Sequence, residues 1–127
     1  MVCQEIKDFL AAHADARYAA FVTSLMPGAR PVVGVRLPVL RALAKEITKG
    51  DWRTYLEEAV DDTFEEVMLQ GYVTGAARMP FEEQMERMTA YVRKINDWAL
   101  CDSPCSGFKF VRKHREEVWA FLQPYLY

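Results

Sequence analysis

The sequence predicts an all-α fold of antiparallel helix pairs stacked on one another, and three observations carry that prediction. Apolar residues recur at the three- and four-residue spacing of one helix face along nearly the whole chain. No alternating stretch persists outside the short run Pro31–Val35, so strands have no signal. Breaks rich in Pro, Gly, Ser, Thr and Asp separate segments of helical length, and short connections between helices favour antiparallel neighbours.

The first helix is predicted from Gln4 to Leu25, with Ile6, Phe9, Leu10, Tyr18, Phe21, Val22 and Leu25 forming an interrupted inward stripe that stops at Met26-Pro27-Gly28. A loop from Pro27 to Gly34 carries Arg30, and the second helix starts at Leu37-Pro38, where proline suits a first turn. Its inward positions are Leu40, Leu43, Ala44 and Ile47, and Gly50 closes it. Asp51 caps a third helix containing Trp52, Tyr55 and Leu56. Thr63 and Glu66 make a capping box for a fourth, through Val67, Leu69, Val73 and Ala77. Pro80 starts a fifth, carrying Phe81, Met85, Met88, Tyr91, Val92 and Ile95. A Trp98 segment follows, with Asn96 and Asp97 as N-caps and a turn at Ser103-Pro104; then come a short helix near Phe108 to Val111 and a last helix from Glu116 to Leu126. Stacking of such pairs is the HEAT-like mode of assembly.

A chain of 127 residues, 51% hydrophobic and 27% charged, fits one domain over residues 1–127 and excludes a disordered or fibrous class. No apolar run reaches the roughly 20 residues that cross a bilayer. The N-terminal stretch is polar and acidic, unlike a secretory signal, so the expected location is the cytoplasm. Cys3, Cys101 and Cys105 have no metal-ligand spacing, and neither a disulfide framework nor a zinc site is expected. His13 and His114 sit among polar residues and read as surface side chains. The apolar end, Val118 to Tyr127, lacks a polar capping helix; the solenoid is expected to be incomplete there, or that edge to be covered by a second copy in a homodimer.

Net charge is −2, yet the distribution is uneven. Residues 51–90 hold ten acidic and three basic side chains, whereas residues 91–115 hold six basic and two acidic. Lys109, Arg112, Lys113 and Arg115 lie in the basic segment. They read either as a solvated face or as phosphate contacts, and Arg36 and Arg41 extend the same surface.

Within that segment Trp98 and Asp102 are four residues apart, one turn along a helix face. An indole plane beside a carboxylate can hold a cation or an electron-poor sugar: the ring face attracts positive charge and the carboxylate neutralises what develops during bond breaking. The competing reading is local, with Asn96 or Asp97 as the cap and Trp98 as an ordinary core residue of the first turn.

Gly34-Val-Arg-Leu-Pro-Val-Leu-Arg-Ala-Leu-Ala-Lys45 resembles the GVRxPxLRxxAK stretch of AlkD-like DNA alkylation repair proteins. Glu65 to Gly75 is similar to their next helix, and Asn96 to Asp102 resembles their W-x-x-x-D motif. The match runs in order along essentially the whole chain and corresponds to the family's N-terminal half. It implies a right-handed solenoid of HEAT-like repeats whose concave face cradles duplex DNA. It further implies a glycosylase that removes N3- and N7-alkylated purines without a metal or other cofactor. Carried over by motif, Asp102 is the catalytic carboxylate, Trp98 the aromatic wall against the deoxyribose, and Arg36 a DNA-facing residue. Lys109, Arg112 and Lys113 join the DNA-binding set on charge alone. The alternative is a catalytically inactive helical-repeat module that binds DNA or a protein partner.

Overall fold

From Phe64 to Thr74 every residue is buried, and the helix that holds this run is the axis of the molecule. A helix apolar on most sides is stable in water only when other elements surround it. The computed structural model describes residues 3–125. Among them are eight α-helices: α1 Cys3–Ala12, α2 Ala16–Leu25, α3 Leu37–Thr48, α4 Trp52–Glu58, α5 Phe64–Ala76, α6 Phe81–Val92, α7 Trp98–Ser106 and α8 Arg115–Leu122. Tight helical turns over Lys109–Lys113 and Gln123–Tyr125 complete the described elements. The central α5 packs against α3, α6 and α7. The architecture is all-helical, of the helical-repeat class, and no described helix is long and apolar enough to cross a membrane.

The predicted first helix is two helices. Asp15 interrupts it by accepting from the backbone N–H groups of Arg17 at 2.9 Å and Tyr18 at 3.1 Å, donors that a continuous helix would use internally. Ile6 and Leu10 anchor α1, but in α2 only Val22 is buried; Phe21 and Leu25 are exposed, against the expected inward stripe.

Between α2 and α3 the chain runs without regular structure and is fixed by the buried carboxylate of Glu65. Its oxygens accept from the amides of Val33, Gly34 and Val35 at 2.9, 2.8 and 3.2 Å. Gly34 has φ of 97°, and a Cβ there would collide with the Asp15 carbonyl oxygen, so the loop packs directly against the start of α2. The chain then enters α3, with Pro38 in the first turn and Leu40, Leu43, Ala44 and Ile47 buried. Its last turn closes at Lys49, one residue before the predicted Gly50.

The caps of α4, α5 and α7 are the predicted ones. Asp51 accepts from the Thr54 amide, Thr63 from the Glu66 amide, and Asp97 from the Leu100 amide. Ile95 falls beyond the end of α6, and its amide bonds to the Val92 carbonyl in the turn that follows. The expected turn at Ser103-Pro104 is instead helix, since α7 continues through Pro104 to Ser106. Pro104 lies against Gly71 of α5, where an added Cβ would stand 2.6 Å from it, so the absent side chain lets the two helices approach closely. The last helix begins one residue early and stops at Leu122; the predicted end, Leu126, lies outside the described residues. It buries only Val118, leaving Trp119 and Leu122 exposed.

Candidate functional site

Leu100 and Pro104 are the buried face of α7, and that choice decides where Trp98 and Asp102 point. Two residues along a helix is about 200° of rotation, so the pair is turned outward. Trp98 is 57% exposed and Asp102 is exposed, so Trp98 is not the core residue of the local reading. The helix start is held from outside as well. Arg30, on the loop before α3, donates through Nη1 to the Lys94 carbonyl at 3.0 Å and to Asn96 Oδ1 at 2.9 Å. Lys94 in turn bonds Asp61 and Gln70, tying the α6–α7 connection to the base of α5.

Trp98 and Asp102 line a groove of about 160 Å³ whose opposite wall is Tyr18, Phe21 and Leu25 of α2 and whose floor includes Phe64 and Met68 of α5. Asp102 is the one charged side chain in its lining. Phe21 and Leu25 are 60% and 48% exposed, so three large apolar side chains stand open to solvent around a single carboxylate. Such a patch on a water-soluble surface marks a binding site more often than a packing accident. Arg36 reaches the rim, its guanidinium 4.6 Å from the centre of the Tyr18 ring and 3.4 Å from Asp15. Backbone donation from Tyr18, with Arg36 contributing, holds the Asp15 carboxyl below its usual range.

Ser103 belongs both to this groove and to a second hollow of about 410 Å³, lined also by Arg41, Lys45, Tyr72 and Lys109. Lys109 then continues into a third, of about 490 Å³, with Arg78, Lys113 and His114. Asp102 is the sole carboxylate residue in the lining of the three. Arg112 is exposed and stands outside their lining.

Several cations outside these hollows are paired with acids: Lys7 with Asp62 and Glu66, Arg53 with Glu83, Arg87 with Glu57 and Glu83, Lys94 with Asp61. Among the described residues Arg41, Lys45, Arg78, Lys109 and Lys113 form no such pair. The two hollows that share Lys109 thus form a trough of uncompensated positive charge, which attracts a polyanion.

Arg41 was legible as an extension of the basic surface, but its grouping with Lys45, Arg78 and Tyr72 was not, because α3, α5 and the chain after α5 meet only in the fold. His114 is a partly exposed surface side chain that also stacks on Phe81 at 3.8 Å, a partner distant in sequence, and His13 is exposed as expected. The three cysteines are free, and burial pushes the Cys105 thiol up to about 12, which keeps it protonated and unreactive at neutral pH. No group of three or more His, Cys, Asp or Glu among the described residues is placed to hold a metal ion.

An all-helical repeat scaffold, an open aromatic–carboxylate groove and a cationic trough beside it define a class of protein suited to a nucleic-acid partner. Residues 6–122 match the model of the DNA alkylation repair enzyme family, and the chain belongs to that AlkD-like family. DNA repair is the family's field and DNA the partner it implies. No curated protein and no solved structure matches the chain.

Proposed function

We propose that this protein is a DNA glycosylase that excises N3- and N7-alkylated purines from duplex DNA, with residues 1–127 forming one helical-repeat domain equivalent to the N-terminal portion of longer relatives. The observation that carries the reading is the isolation of Asp102 in an otherwise uncharged, aromatic groove next to a trough free of other carboxylates. An alkylated purine is cationic and already a good leaving group. The protein therefore has to stabilise the oxocarbenium-like sugar and admit a water.

Asp102 faces that sugar and neutralises its charge. At about 4 Å and an effective dielectric near 20 the attraction is on the order of 4 kcal/mol, roughly a thousandfold in rate. Trp98 lays its ring against the deoxyribose, adding cation–π attraction of about 1 kcal/mol and closing one side to solvent. Arg36, Lys109 and Lys113 meet phosphates, and Arg112 contributes longer-range attraction. Free thiols at Cys3, Cys101 and Cys105 suit the reducing cytoplasm.

The test is release of 7-methylguanine from methylated duplex DNA by this chain, with Asp102→Asn in parallel. Release is expected from the parent and loss of about a thousandfold from the variant, with DNA affinity little changed. A folded chain that binds DNA and releases no base would replace this reading with the inactive binding module.

A further inference from the structure

We propose that the hollow between α3 and the C-terminal half of α7 is a phosphodiester subsite, in which Arg41, assisted by Lys45 and Lys109, holds one backbone phosphate beside the nucleotide whose sugar reaches Asp102. The inference rests on the DNA reading above and adds to it a specific, separable contact.

The guanidinium of Arg41 is prepared for an anion. It lies over the Tyr72 ring, 5.5 Å from its centre, and donates through Nη2 to Ser103 Oγ at 3.2 Å. Ser103 is itself hydrogen-bonded to the Tyr72 hydroxyl, so three side chains from α3, α5 and α7 fix one another. One of five guanidinium N–H bonds is engaged in this arrangement, leaving a planar fork for the two free oxygens of a phosphodiester. Holding the fork in place before the ligand arrives lowers the entropy lost on binding.

The charge around Arg41 also favours an anion. Arg41, Lys45 and Lys109 line the same hollow, no acid shares it, and none of the three is paired with a carboxylate among the described residues. Arg41 is exposed and lies one turn of α3 from Lys45, so both heads are open to a ligand. Position then selects the phosphate. Ser103 directly follows Asp102 and lines both the groove and the hollow, so an anion on Arg41 stands next to the sugar that Asp102 would face. The subsite is therefore assigned to a phosphate adjoining the lesion rather than to distant backbone.

A methylphosphonate scan tests this. Duplexes carrying one tetrahydrofuran abasic analogue have the surrounding phosphates neutralised one at a time, and binding is measured with the parent chain and with Arg41→Ala. For the parent, neutralising one phosphate next to the analogue is expected to weaken binding roughly tenfold, the effect of losing a charge-assisted contact. Arg41→Ala is expected to bind the unmodified duplex more weakly by about the same factor, to lose sensitivity at that one phosphate, and to show a salt slope lower by about one. Lys45→Ala reproduces a smaller part of the loss.

If Arg41→Ala stays as sensitive as the parent at every phosphate, the subsite is overturned while DNA binding stands. If the folded parent does not bind duplex DNA at all, the underlying reading falls with it. Titration with inorganic phosphate provides the remaining arm: tight, Arg41-dependent binding without any position-specific effect in the scan would assign the hollow to a small phosphate ligand and overturn the DNA subsite.

Discussion

The Tyr91 hydroxyl donates to the Leu100 carbonyl at 2.6 Å, taking the acceptor that Pro104 leaves unused. In a regular helix the residue four places on would supply the donor, and proline has none. A buried phenol from α6 replaces the missing bond, and burial holds that phenol far above its ordinary pKa. This is how a proline sits inside the helix that carries Trp98 and Asp102 without breaking it.

Tyr91→Phe should therefore destabilise the protein by about 1–3 kcal/mol, the cost of leaving a buried carbonyl without a donor. Urea unfolding measures it. In the Tyr91→Phe background, Pro104→Ala should recover part of the loss, because alanine restores an amide N–H aimed at the same carbonyl. Additive losses from the two substitutions would separate the phenol from the proline.

Glu65 presents the inverse case, one acceptor group serving several donors. Glu65 as a whole is 1% exposed, and its carboxylate bonds three successive amides of the strap before α3. Glu65→Ala leaves three backbone donors unpaired in the interior and is expected to cost about 3 kcal/mol or more. The strap also carries Arg30 and leads to Arg36, so protection of residues 30–36 against hydrogen exchange should fall before the rest of the fold opens.

Much of this arrangement was legible because its causes are local. Asp51, Thr63 and Asp97 cap the helices that follow them, and the four-residue spacing of Trp98 and Asp102 places both on one face wherever that face points. What escaped the sequence depends on partners far along the chain. Asp15 caps α2 in the middle of an otherwise helical pattern, and in α7 Tyr91 supplies the Leu100 carbonyl with the donor that Pro104 lacks. Phe21 and Leu25 have core-like character yet face an open groove, since nothing among the described residues packs over that side of α2. The Arg41–Ser103 bond joins residues 62 apart, a relation no spacing rule contains.

Acid stability should track Asp61. Burial acts to raise its carboxyl pKa, but hydrogen bonds from Gln70 and Lys94 outweigh it, and the net effect is a value below the ordinary one. A carboxyl whose folded pKa is depressed stabilises the fold above its unfolded pKa, near 3.9, and loses that contribution as pH falls through the folded value. Asp15, Asp51 and Glu83 are lowered in the same sense. Stability is expected to be flat from neutral pH to about 5 and to decline below about 4. Asp61→Asn should lower the plateau and make the acid decline shallower; thermal melts across that range read both.

Trp98 separates structure from function most cleanly, because it is large, aromatic and mostly outside the core. With 57% of its surface exposed, Trp98→Ala should change stability by no more than about 0.5 kcal/mol, as at other surface sites away from special contacts. If the indole lies against a developing sugar cation, the same substitution should slow base release in single turnovers about fivefold, corresponding to roughly 1 kcal/mol, with Trp98→Phe recovering much of it. Saturating enzyme keeps a change in DNA affinity from being mistaken for a change in chemistry. A large drop in melting temperature for Trp98→Ala, with release following the folded fraction, would return Trp98 to a packing role.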